Sequence, residues 1–242
     1  MRILAIADIH GDRAIYREIV RLAEERCVDA VVLAGDLLGA PPGFDSIEAA
    51  QQRDAVEILE VLTALSRPVL YVLGNDDLVP MPDTPPHVHA LHGRRLDLGG
   101  WGFVGYQYSP PFMGGPLEKP EAEIAADLVG LEPLLDPTAV LVTHCPADGI
   151  LDGSNTFRPE REFLASVGVH LVPGSPAIRD AVRRRGVRAH VHGHVHGAFG
   201  RAGCHFNVAS GPGSLRAMIV DLATLDHQVV LLETTRHGST NL

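Results

Sequence analysis

RILAIADIHGD, Arg2 to Asp12, is apolar without a break from Ile3 to Ala7 and then presents Asp8 and His10. A short run rich in Ile and Leu, closed by a turn-forming residue, has the pattern of a buried β-strand. It places two metal-binding side-chain types just beyond the strand's carboxyl end. The next segment, RAIYREIVRLAEERC, repeats Ile15, Ile19, Leu22 and Ala23 on one helical face. DAVVLA, Asp29 to Ala34, is a second strand, and a helical pattern from about Ser46 to Ser66 leads to a third, PVLYVL, Pro68 to Leu73. This β-α-β-α-β succession predicts parallel strands buried beneath crossover helices, an α/β fold.

From Pro80 the texture changes. HVHALHG, RRLDLGG and WGFVGYQY are short alternating stretches punctuated by glycine, the pattern of antiparallel strands or hairpins. YSPPFMGGPLEKP reads as a Pro/Gly loop. A helix near Glu121 to Leu131 leads to the strand AVLVTH, a loop to about Arg161, a helix from Pro176 to Arg185 and the strand VRAHVHG. FGRAGCHFNVAS and LRAMIVDL with HQVVLLET predict antiparallel hairpins. We read residues 1–235 as one domain and 236–242, RHGSTNL, as a polar C-terminal tail.

Composition narrows the partners. The 242 residues are 45% hydrophobic and 21% charged, enough apolar content for a substantial core. The formal net charge of -10 argues against a sequence-independent grip on long nucleic acid or an anionic membrane, so a small substrate is expected. Cys27, Cys145 and Cys204 are odd in number and form no CxxC pair, which predicts neither a disulfide framework nor a cysteine zinc site. Asp8 interrupts the first apolar run too early for a signal peptide, and no run reaches membrane-spanning length, so a cytoplasmic setting is expected. Oligomeric state leaves no mark in the sequence.

The same strand-end pattern recurs along the chain. LAGDL gives Asp36, LGNDD gives Asn75, LVTHC gives His144, and VHGHVHG gives His194 and His196. In parallel α/β sheets the carboxyl ends of the strands lie on one edge, so residues far apart in sequence converge there. Asp and His suit Mn, Fe and Zn, and a bridging carboxylate would let seven side chains supply two incomplete shells. Each residue alone has a plainer account. Asp8 can cap a turn, Asp36 can shape a loop, and Asn75 can tolerate a left-handed conformation. The ordered set DxH, GD, GN, TH and GHxH, each at a predicted strand end, favours a shared metal site. His190 and His192 alternate on the strand feeding that loop and suit a core or supporting role. His87, His89 and His92 are explained by a surface hairpin, and Cys145 by simple packing.

These motifs resemble the calcineurin-like metallophosphoesterase family, in particular the small predicted phosphoesterases of bacteria and archaea. The resemblance implies a four-layer αββα sandwich with two mixed β-sheets. It implies that Asp8, His10 and His196 hold one divalent ion, that Asn75, His144 and His194 hold another, and that Asp36 bridges them. Mn, Fe or Zn are the candidate ions. The implied reaction is in-line attack of a metal-bound hydroxide on a small phosphorylated molecule, with Asp36, Asn75, Asp76 and His144 at its centre.

One position departs from the family pattern: Asp76 stands where G-N is usually followed by histidine. An aspartate there is a poor proton donor at neutral pH and repels phosphate, which favours phosphodiesters over monoesters. The YSPPFMGGPLEKP loop, or Arg158 and Arg161 in SNTFRPER, are candidate rim elements. Cleavage of a nucleotide diphosphate linkage, or a non-catalytic metal-binding scaffold on the same fold, are the alternatives.

Overall fold

The structure is a computed structural model and describes residues 1–112, 114–154, 174–211 and 215–233. The tail 236–242, Arg158 and Arg161 lie outside the described residues. The chain begins β1 (Arg2–Ile6), α1 (Arg13–Glu25), β2 (Ala30–Ala34), α2 (Ile47–Leu62) and β3 (Val69–Val72). It continues with β4 (Val88–Ala90), β5 (Arg95–Leu98), β6 (Trp101–Tyr106), α3 (Glu121–Leu131) and β7 (Ala139–Thr143). Then come α4 (Pro176–Arg185), β8 (Ala189–His192), β9 (Gly200–Ala202), β10 (His205–Asn207), β11 (Arg216–Asp221) and β12 (His227–Leu231).

Two six-stranded mixed sheets result, ordered β12-β11-β1-β2-β3-β4 and β5-β6-β7-β8-β10-β9. The period of two in each strand divides its side chains between two cores. In β1, Ile3 and Ala5 enter the core shared by the sheets, where they join Phe103, Val140, Val191 and Phe206. Leu4 and Ile6 point the other way, toward Ile15 and Ile19 of α1 and Ile58 and Leu62 of α2. The second sheet does the same, and Leu141 of β7 meets Ile124 and Leu128 of α3 and Ile178 of α4. Both faces of the central strands are therefore buried, which is why they read as unbroken apolar runs. Each buried Leu, Ile or Val contributes about 1.5–3 kcal/mol. The layer order is helix, sheet, sheet, helix, as the family resemblance implied.

The helices start where local chemistry dictates. Asp12 caps α1 by accepting from Ala14 N at 2.9 Å, Ser46 caps α2 from Ala49 N at 3.1 Å, and Ser175 caps α4 from Ile178 N at 3.2 Å. Among the described residues, no helix is long and apolar enough to cross a membrane.

The reading of the middle of the chain needs correction. Only β5 and β6 form an antiparallel hairpin; β4 runs parallel to β3 and extends the first sheet, and β6 runs parallel to β7. Alternation identifies a strand but carries no information on its direction, and the proline-rich connection after Val79 lets the chain return in the same sense. The surface-hairpin account of the histidines fails for the same reason. His89 lies on parallel β4, and His92 sits where the chain passes between sheets, half-buried with its ring against Tyr106 and Tyr108.

Candidate metal centre

The carboxyl ends of β1, β2 and β3 meet those of β7 and β8 across the sandwich. Backbone bonds fasten the first two loops together: Asp8 N donates to Gly35 O at 2.9 Å, and Ile9 N and His10 N both donate to Asp36 O, at 2.9 and 3.0 Å. Asp8, His10, Asp36 and His194 all adopt left-handed backbone conformations, with φ of 58°, 47°, 52° and 71°. Such residues cost on the order of 1–3 kcal/mol each and persist where surrounding bonds over-determine them, as these do. His194 N, for example, donates to Asp8 Oδ2 at 3.1 Å.

Two glycines let the loops approach this closely. A Cβ on Gly74 would fall within 3.0 Å of the Asp36 backbone nitrogen and carboxylate, and one on Gly193 within 3.0 Å of Ala7 and the Asp8 carboxylate. Every sequence-predicted ligand is brought into one cluster. Asp8 Oδ1 lies 3.1 Å from His196 Nε2, and the His10 and His196 rings meet edge to face at 6.0 Å. His144 Nε2 lies 3.2 Å from Asp36 Oδ2, 3.1 Å from Asn75 Oδ1 and 3.3 Å from His194 Nδ1. The other nitrogen of His144, Nδ1, donates to Ala34 O at 3.0 Å, which leaves Nε2 as the atom facing the cluster. Asn75 Nδ2 donates to Asp76 Oδ1 at 2.9 Å, so the Asn75 amide oxygen is likewise turned toward His144.

The electrostatics follow from burial of opposite charges. Burial alone would push the His144 imidazole down, but the Asp36 and Asp8 carboxylates outweigh it and raise it to about 10. Burial opposes ionisation of Asp36, yet His144 and the Asp76 amide hold its carboxyl well below the usual range. His194 is pushed down to about 4 by burial and by the His144 charge, whereas the hydrogen bond to Asp8 raises His196. Burial and the neighbouring Asp36 raise the Asp76 carboxyl.

The donor set fits divalent cations. Ligand atoms of Asp8, His10 and His196 lie within 4.8 Å of one another, as do those of Asp8, Asp36 and His144, and those of His10, Asp36 and Asp76. Mixed imidazole and carboxylate ligation suits Mn, Fe or Zn.

His190 and His192 are fully buried beneath this cluster and belong to none of these three groups. His190 Nε2 donates to Thr143 Oγ1 at 2.8 Å, Thr143 Oγ1 in turn donates to Cys145 O, and His190 Nδ1 lies 3.0 Å from His205 Nδ1. Cys145 is buried, and burial pushes its thiol up. On the rim, Phe112 of the Pro/Gly loop sets its exposed ring edge against His194 at 5.4 Å.

Sequence reasoning missed Asp77. Its buried carboxylate accepts from Leu37 N at 2.9 Å, Leu38 N at 2.7 Å and Gly74 N at 2.8 Å, tying the Asp36 loop to the Gly74 turn. Burial and Asp36 push it up to about 7 against these amides. The available signal was a second aspartate after Gly-Asn, a spacing suited to bonding local backbone.

A family model described as calcineurin-like phosphoesterase matches residues 1–198. Among solved structures, TT1561 of Thermus thermophilus is 18% identical with a TM-score of 0.64, over 96% of this chain and 99% of that one. A dimetal phosphatase from Danio rerio is 13% identical with a TM-score of 0.54, over 96% and 99% of the two chains. GAP50, the anchor in the inner membrane complex of Plasmodium, is 12% identical with a TM-score of 0.51, over 98% and 89%. At these identities the likeness is one of fold. No curated protein sequence gives a significant match.

Proposed function

Since the chain belongs to the calcineurin-like phosphoesterase family, we propose that it is a dinuclear-metal hydrolase of phosphate esters, with phosphodiesters of small molecules as its preferred substrates. The observation that carries this reading is the meeting of Asp8, His10, Asp36, Asn75, His144, His194 and His196 in one cluster at the strand ends. Asp8, His10 and His196 would hold one ion and Asn75, His144 and His194 the other, with Asp36 between them. Two bound divalent ions would lower the pKa of water and neutralise the nonbridging phosphoryl oxygens.

The chain's own residues then orient and select. Ala34 O and Asp36 fix the His144 ring, Asp77 holds the Asp36 loop in place, and Asp76 puts negative charge where the family's histidine would face a phosphoryl group. Burial and Asp36 raise the Asp76 carboxyl, but bound dications act in the opposite sense and favour its ionised form, which donates no proton. A diester, with one charge fewer than a monoester, meets less repulsion there. Beside Asp76 and His10 lies a cavity of about 300 Å³ lined by Leu38, Ala40, Ile47 and Leu78, with Gln51 its only other polar side chain among the described residues. Arg13, on the neighbouring wall, is engaged by Asp54 and Glu57. This lining suits an uncharged organic group better than a second phosphate, which favours a diester over a nucleotide diphosphate. Four strained ligand conformations argue for a working centre rather than a scaffold. The exposed thiol of Cys27 suits the reducing setting of a cytoplasm.

The test is steady-state kinetics on an aryl diester, an aryl monoester and an alkyl monoester, with Mn supplied. The wild type should favour the diester. Asp76→His removes a negative charge and supplies a donor, and general acid help is typically worth about 10² to 10⁴-fold, so with Mn raised until both proteins are saturated alkyl monoester turnover should rise within that span. Wild-type preference for alkyl monoesters, unchanged by Asp76→His, would show that another residue supplies the acid.

A further inference from the structure

We infer that Asp76 is itself a metal ligand, which closes with its carboxylate a coordination position on the His10 side of the centre that the family pattern leaves to water or substrate. The inference rests on the dinuclear reading above and concerns what this chain adds to it. Ligand atoms of His10, Asp36 and Asp76 lie within 4.8 Å of one another, a spacing that one cation can span. The carboxylate is aimed by its own local bonds. Asn75 Nδ2 donates to Asp76 Oδ1 at 2.9 Å, and the Asp76 backbone N donates to Asp36 Oδ1 at 2.9 Å. Oδ2 is turned toward His10 Nδ1 at 3.9 Å, too far for a hydrogen bond and suited to an intervening ion.

The backbone beneath is clamped. Gln51 Nε2 donates to Asp76 O at 2.7 Å, and Gln51 Oε1 accepts from Leu78 N at 2.7 Å, so the residue is held from both sides before any ion arrives. The charge balance points the same way. Among the described residues Asp76 forms no ion pair with Lys or Arg, and its carboxylate and that of Asp36 have oxygens within 4.8 Å of each other. A divalent cation removes their mutual repulsion. A further carboxylate oxygen also makes the set harder, which favours Mn over Zn.

The consequence is measurable without turnover. Metal-depleted wild type titrated with Mn in a calorimeter should bind two ions. Asp76→Asn, which keeps the shape of the side chain, should weaken one of them by at least the roughly 10- to 100-fold that loss of a supporting residue costs at a metal site. Asp76→Glu should recover part of the loss. A second variant separates ligation from fold. Asp76→Cys loaded with Cd should gain a sulfur-to-metal charge-transfer band that Cd-loaded wild type lacks, because only a thiolate touching the ion produces it. Asp76→Asn that binds two Mn ions with wild-type affinity, or Asp76→Cys without the new band, overturns the inference and leaves the dinuclear reading intact. Wild type that binds no divalent ion removes the dinuclear reading itself.

Discussion

Asp36→Asn should reduce ester hydrolysis to background and strip metal from the purified protein. The substitution keeps volume and shape but deletes the charge that sits 3.2 Å from His144 Nε2 and raises that imidazole to about 10. It also weakens the acceptor for the Asp76 amide at 2.9 Å. Losing a supporting partner at a metal site typically costs about 10- to 100-fold, and loss of a residue placed between two ions should exceed that for affinity and activity together. His190→Gln is the matched control. His190 is fully buried, as His144 is, but among the described residues its ring bonds only to Thr143 and His205, so metal content and most activity should survive. Elemental analysis and kinetics at matched metal concentration decide it; equal losses from both variants would mean that the histidines of β8 have been assigned to the wrong tasks.

Gly74→Ala should cost both stability and metal. The added carbon would lie within 3.0 Å of the Asp36 backbone nitrogen, on a loop that cannot retreat because its carbonyl already bonds Ile9 N and His10 N. Overpacking of this kind typically costs about 1–3 kcal/mol. In a chain of this length each kcal/mol moves Tm by about 2–4 °C, so a fall of roughly 2–12 °C is expected. Gly130→Ala provides the opposite sign. Gly130 lies in the last turn of α3, where an added Cβ would meet nothing within 4 Å, and replacing a helical glycine by alanine there should stabilise by up to about 0.5–1 kcal/mol. Thermal melts of the two variants test the loop geometry directly. A Gly74→Ala protein that melts with wild type and retains its metal would show that the two loops are not in contact.

The convergence of the candidate ligands was legible because the relevant physics is local. A buried strand announces itself in four or five residues, and the side chains just past its end inherit their position from it, as Asp8, Asp36, Asn75, His144 and His194 do. Asp77 was not legible in the same way, since two of its three amide partners are Leu37 and Leu38, on a loop 40 and 39 residues earlier. Strand direction was hidden too: the period of two in HVHALHG is the same whether β4 runs with β3 or against it. His92 shows the remaining gap. Its burial against Tyr106 and Tyr108 depends on where the chain leaves one sheet for the other, which no local pattern encodes.

β1 carries Asp8 and is flanked by β2 on one side and β11 on the other, with Arg2 opposite Asp221. During synthesis the amino-terminal ligands thus emerge long before the strand that seals their sheet, and His194 and His196 emerge shortly before it. A nascent chain halted ahead of β11 leaves the inner edge of β1 without its hydrogen-bonding neighbour and the shared core without Met218 and Val220. The geometry that draws Asp8 against His196 is therefore completed only after β11 has emerged, and such long-range pairing is intrinsically slow. On the dinuclear reading proposed above, metal loading would follow the docking of β11 and be governed by the ions that meet the folded sheet rather than by those present while its first strands are being made.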